Sequence, residues 1–249
     1  MRNKCIYYRG IFIALCLFLW GANAYCSGII VDENQKKLDQ DSLLSVLRMT
    51  TDVHVKLKSL YNLSRLSRGT TAESGYLMQL TELAGSVDSM RYYYNAVSSL
   101  GRYYCNANEK DSLFYWGGRL DSVTKTRKET PEELFDFLNY YCRYYLVSGE
   151  YELAMNEAVR LQILSDETGK LAGAISSNEY LGMIYLFIGR HKDAVDAFEK
   201  GLSLIRESDG NPTYEIQILS YQIVSYLRLN EPDKTRAALE RYEFLLQDM

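Results

Sequence analysis

Proline is nearly missing from this chain: 3 in 249 residues, at positions 131, 212 and 232. Almost the whole length is therefore open to long helices. Histidine is scarcer still, with only His54 and His191. Neither has a cysteine nearby or sits in a nucleophile motif, so both read as solvent-facing and idle. A phosphate-cradling glycine loop is also lacking. The nearest run, Trp116-Gly117-Gly118-Arg119, falls inside a helical stretch and not after a strand. Gly117 and Gly118 instead suit close helix packing, with some loss of helix propensity. Glu132-Glu133 matches the positive end of a helix dipole and is no acid/base pair. These absences leave no catalytic residue, metal ligand set or cofactor site to nominate, and the chain reads as a non-enzyme.

Excess positive charge is absent as well. Lys and Arg number 28 against 32 Asp and Glu, a net charge of −4. Long apolar runs are confined to the first residues. Arg2, Lys4 and Arg9 precede Ile11 to Trp20, and Ala22-Asn23-Ala24 then offers small residues where a signal peptidase reads. Residues 1–24 thus read as a secretory signal peptide. The apolar run is short for a permanent anchor, and no membrane span is expected after its removal. Without this segment Lys and Arg fall from 28 to 25 against 32, and net charge moves from −4 to −7. Nucleic acid and anionic membrane surfaces are disfavoured as partners. The implied location is the periplasm.

Cysteines number 5, and Cys5 and Cys16 leave with the signal. Cys26, Cys105 and Cys142 are an odd set with no zinc or redox spacing. Lipid anchoring through Cys26 would want a small residue before it, and Tyr25 is there. Cys105 and Cys142 fall on neighbouring helices and could approach each other; they read better as buried thiols packing like small apolar groups.

What is present is a beat. Tyr104, Tyr145, Tyr185 and Tyr226 lie 41, 40 and 41 residues apart, and each is followed four residues later by Asn108, Gly149, Gly189 or Asn230. A fixed period with a turn residue at a fixed offset signals stacked helical hairpins. No strand-like alternation breaks the pattern. The predicted fold is all-α. After a flexible leader at 25–38, helices occupy 39–87 as a degenerate repeat or cap, and four hairpins occupy 88–249. The first helix is placed from Asp41-Ser42, the second from Asp52 to about Ser67, and the third after a cap at Thr70 or Thr71. The hairpins fall at about 89–127, 130–168, 171–209 and 213–248. Thr130-Pro131 and Asn211-Pro212-Thr213 mark helix starts, and Pro232 a turn.

The third hairpin reads Leu181-Gly182-Met183-Ile184-Tyr185, then Gly189, Ala194, Phe198 and Gly201-Leu202. Leu100-Gly101-Arg102-Tyr103-Tyr104 repeats its opening; Tyr141 to Tyr145 with Gly149, Ala154 and Ala158 is a weaker copy. These hairpins resemble tetratricopeptide repeats, with a period longer than usual at about 40 residues. The resemblance implies a right-handed superhelical solenoid, in which Gly101, Gly182 and Ala194 permit close crossings and Tyr104, Tyr185 and Phe198 fill the seams. Phrases such as Leu60-Tyr61-Asn62-Leu63-Ser64-Arg65-Leu66 and Cys142-Arg143-Tyr144-Tyr145-Leu146 also resemble the extracytoplasmic sensor region of histidine kinases of gut bacteria. That family continues into a membrane helix and a kinase. Here neither follows, so the resemblance implies a shortened sensor or a complete, free-standing scaffold or assembly factor.

The tetratricopeptide likeness further implies a concave groove lined by the first helix of each hairpin. Its face would carry Asn95, Ser98, Arg102 and Asn106, then Asp136, Asn139, Arg143 and Leu146. The third hairpin would add Ser176, Glu179, Met183, Leu186 and Phe187, and the fourth Gln217, Ser220, Val224, Leu227 and Arg228. Such a groove grades from polar to apolar and suits a peptide or protein. Arg102 and Arg143, one repeat apart, could share an anionic group; the plainer alternative pairs them with Asp136 or with solvent. The lysine/asparagine clamp of some relatives has no counterpart at Ser98, Ser99, Tyr140 and Tyr180. Self-association is expected through an apolar face of the last hairpin with Leu239, Phe244 and Leu245. Asp-Ser-apolar triplets begin at Asp41, Asp88, Asp111 and Asp121; some gut bacteria glycosylate such serines, but Asp-Ser is also ordinary helix-cap chemistry, and that reading is preferred.

Overall fold

A computed structural model describes residues 33–208 and 212–247. The signal peptide, Cys26 and Asn211 lie outside the described residues. Within them the chain is all-α, with eleven helices and no strand. They are α1 (Glu33–Met49), α2 (Val53–Leu66), α3 (Thr71–Ser86), α4 (Met90–Asn106), α5 (Lys110–Arg127) and α6 (Glu133–Val147). Then follow α7 (Tyr151–Thr168), α8 (Leu171–Phe187), α9 (His191–Glu207), α10 (Pro212–Arg228) and α11 (Pro232–Gln247). The chain divides into two compact units at the Tyr144–Tyr145 step, inside α6.

Four turns share one geometry. Each of α4, α6, α8 and α10 ends two residues after its repeat tyrosine, and three residues lead to the next helix. The amides of Glu109, Glu150, Arg190 and Glu231 donate back to the carbonyls of Tyr104, Tyr145, Tyr185 and Tyr226, at 2.8 to 3.0 Å. The amides of Asn108, Gly149, Gly189 and Asn230 donate at 3.2 Å to the carbonyl just after each tyrosine. This double closure is a Schellman cap. It requires a left-handed residue four positions past the tyrosine, and φ there is 56°, 74°, 81° and 56°. Glycine reaches that region without strain, and asparagine is among the few other residues that tolerate it.

The residue nine positions after each tyrosine closes the turn on its inner side. Leu113, Ala154, Ala194 and Thr235 are all fully buried. Their amides open the next helix by donating to the carbonyls of Glu109, Glu150, Arg190 and Glu231. Within each unit sequence neighbours pack together, α1 to α5 in consecutive pairs in the first and α7 to α11 in the second. Contacts also join α2 to α4 in the first unit and α8 to α10 in the second.

Close crossings use glycine where the repeat places it. A Cβ on Gly101 would come within 2.6 Å of the Phe137 ring, and one on Gly182 would collide with the Phe198 ring. Gly117 is equally tight against Tyr141, whereas Gly118 faces open space and so is not needed for packing. The side chains of Cys105 and Cys142 are both buried; burial pushes the Cys105 thiol up, partly offset by Arg143.

Helix starts match the sequence in most places. Asp52 caps α2, accepting from the amides of His54 at 2.8 Å and Val55 at 3.3 Å. Pro212 and Pro232 each occupy the first residue of a helix, where the missing amide costs nothing. Helix α1 is the exception. It begins at Glu33, so residues 33–38 are helical and not part of a flexible leader, and the Asp41-Ser42 start is overtaken. Good helix formers such as Lys36, Lys37 and Leu38 carry the helix past Asp41 without a break.

The Gly182 crossing gives a direct test. Gly182→Ala should lower stability by about 1–3 kcal/mol through overpacking against Phe198, although alanine is the better helix former. Thermal and urea denaturation measure it; equal or higher stability would contradict the crossing.

Candidate functional site

In the first unit the first-helix faces are joined by polar rungs between α4 and α6. Asn95 donates through Nδ2 to Glu133 Oε1 at 3.3 Å and to the Arg91 carbonyl at 3.0 Å. Ser98 donates to Asp136 Oδ2 at 2.7 Å. Arg143 donates to Asn106 Oδ1. Asn139 turns its amide to the Phe135 carbonyl at 2.8 Å. Burial raises the Asp136 carboxyl, the Ser98 hydroxyl works against this, and Glu132 adds to it. Tyr140 is pushed up to about 12 by burial and by the Asp136 charge.

Arg102 and Arg143 are therefore engaged separately. Arg102 pairs with Glu73 of α3, a carboxylate almost fully buried, while Arg143 is exposed and held by Asn106. Neither takes Asp136, which is occupied by Ser98. A site in which both guanidiniums share one anion does not describe this arrangement. Glu73 itself also accepts from the Gly69 amide at 2.7 Å. Sequence reasoning passed over Glu73, yet Thr70-Thr71-Ala72-Glu73 carries the spacing of a capping box, which was the available signal.

In the second unit two predicted groove residues are not on the surface. Glu179 is only 5% exposed and Met183 is buried. The reason is the α8–α10 packing, which covers this face of α8. Glu179 makes no hydrogen bond or ion pair with another described residue. Burial pushes its carboxyl up to about 7. Its charge in turn bears on Tyr221 of α10, which burial first and Glu179 second push up to about 12. Phe187 does face outward, 43% exposed, with its ring parallel to Tyr151 at 6.3 Å. Arg228 is exposed at the end of α10.

The last hairpin is less apolar outside than expected. Leu245 is buried and Leu239 half-buried; Phe244 is exposed beneath the Arg241 guanidinium at 5.6 Å. His54 is exposed, as expected. His191 is not idle in the open: it is half-buried at the first residue of α9, with Nδ1 shut from solvent and unpartnered. Among the described residues no group of three or more His, Cys, Asp and Glu could hold a metal ion. No helix among them is long and apolar enough to cross a membrane. The chain matches no protein-family model, and a search of curated proteins gives no match.

Two outcomes follow from the buried carboxylates. The folded-state value of Glu179 lies above its ordinary 4.5, so the folded chain holds this proton more tightly than the unfolded one. Stability is then lost as pH rises from about 4.5 to about 7, and the loss is complete above that. Glu179→Gln should flatten this slope and be more stable than the native chain by about 2 kcal/mol at pH 8, with little difference near pH 4.5. Urea titrations at the two pH values decide it. Arg102→Ala should cost about 3 kcal/mol by stranding Glu73, and adding Glu73→Ala should recover part of the loss, a coupling read from a double-mutant cycle.

Proposed function

We propose that this chain is a non-catalytic binding protein of tetratricopeptide type, exported to the periplasm, that takes a peptide or protein along the first helices of its hairpins. The observation that carries this reading is the fourfold recurrence of one cap at intervals of 41, 40 and 41 residues, with the same buried position nine residues after each tyrosine. Repetition of one supersecondary unit favours a right-handed stack whose first helices line a concave face. Proteins of this build act through extended surfaces. The scarcity of histidine supports a binding role.

In the first unit the exposed candidates are Arg143 and Asn106, a cation and an amide; in the second they are Phe187 and Arg228, a flat apolar contact and a cation. Glu179, Met183 and Arg102 belong to the packing within their own units instead. The likeness to exported sensor regions gives the bound partner a role as signal, and the chain the role of a receiver in a signal-transduction system.

The test is capture from a native periplasmic extract. The unaltered chain should retain a partner that Phe187→Asp with Arg228→Glu loses by tenfold or more. Val159→Asp, on the exposed side of α7, should keep it. Equal retention by all three, or no enrichment over a bare matrix, would remove this function.

A further inference from the structure

A second recess lies away from the first-helix faces. It sits between the end of α3, the start of α4 and the second half of α5, with a volume of about 570 Å³. That falls within the range of small-ligand sites. All three helices belong to the first unit.

Its floor holds an unexplained polar atom. Tyr93 is 4% exposed, and its hydroxyl is shut from solvent with no hydrogen-bond partner. A buried hydroxyl left without a partner costs about 1–3 kcal/mol, so such atoms are rare outside places that receive a ligand or water. The Tyr93 ring also packs against Gly85, where a Cβ would sit in ordinary contact at 3.6 Å. The open rim above it is therefore kept clear partly by the lack of a side chain at Gly85.

The walls carry opposite charges. On one side are Glu82 and Asp88, on the other Arg119 and Arg127. Asp88 and Arg127 close one end as an ion pair at 2.8 Å. The remaining pair does not close. Glu82 makes no ion pair with a described residue, and the Arg119 guanidinium lies over the rings of Trp116 at 5.4 Å and Tyr115 at 6.0 Å with no carboxylate beside it. The rest of the lining is mixed, with Met90, Val123 and the Tyr93 ring beside the hydroxyl-bearing Thr81, Ser122 and Thr126.

We propose that this recess binds a small zwitterion of di- or tripeptide size, its ammonium at Glu82 and its carboxylate at Arg119. The centre then receives an aliphatic side chain against Met90, Val123 and the Tyr93 ring. A guanidinium stacked on aromatic rings presents its edge for a carboxylate, which favours this polarity of binding. The site is separate from the face proposed for protein binding and stands or falls without it.

Titration of the full chain with the dipeptide Ala-Leu, its N-acetyl form and its C-terminal amide tests the proposal. Ala-Leu should shift the backbone amide resonances of Gly85, Tyr93 and Val123 with a Kd in the millimolar range or below, and each blocked form should bind at least tenfold more weakly. Glu82→Gln and Arg119→Gln should each weaken Ala-Leu by tenfold or more. Gly85→Leu, at a helical position with room for a side chain, should fold and abolish binding. No response to Ala-Leu at about 10 mM, equal binding of a blocked form, or unchanged binding by the Glu82 and Arg119 variants would each overturn it.

Discussion

The left-handed residue that follows each repeat tyrosine is the constraint on which the rest of the fold depends. A helix of L-residues does not reverse within three positions unless one of them leaves the right-handed region. Asn108, Gly149, Gly189 and Asn230 do so, and two backbone hydrogen bonds lock each reversal. Once the reversal is fixed, the following helix starts at a set angle and phase. That phase puts Leu113, Ala154, Ala194 and Thr235 in the crook of the turn. Leucine, alanine and threonine all serve in this role, so the backbone geometry is the shared feature and the side-chain volume adjusts to it.

Packing beyond the turn is settled by pairs of opposite size. Gly182 admits Phe198, Gly101 admits Phe137 and Tyr140, and Gly117 admits Tyr141. Phe198 in turn lies parallel to Tyr221 at 6.2 Å. Aromatic rings seated on glycine bring helix axes close and leave little void, which is where the high tyrosine content of the chain is used. Hydroxyls reach outward to partners, as in Tyr226 to Glu199 at 2.9 Å and Tyr94 to Glu129 at 2.5 Å.

The helical class and the turn positions were legible because they rest on local signals: turn residues at a fixed offset, prolines at helix starts, and Asp52 as a cap. The candidate site was legible only in part. Asn95, Asn106 and Arg143 do lie together on neighbouring helices, joined or bridged by polar rungs. Burial of Glu179 was not legible, because a carboxylate on a helix reads as solvated until the neighbouring helix is placed over it. Arg102 likewise reads as a ligand-facing cation until Glu73, 29 positions earlier, is brought beside it. Long-range pairing of charges leaves almost no trace in one sequence. The start of α1 was missed for the opposite reason: Asp-Ser suggested a cap where the chain simply continues as helix.

Within each unit packing runs chiefly from one helix to the next, so the helices are unequally held. Helix α1 has no buried side chain from Lys36 onward and holds to the rest mainly through α2, with Gln40 reaching Ser67 at 3.2 Å. Under tension applied at that end, or in rising denaturant, it is the segment that peels away first. Its loss would uncover the outer side of α2 while the turns further along stay intact, so the fold has a built-in place to yield without collapsing.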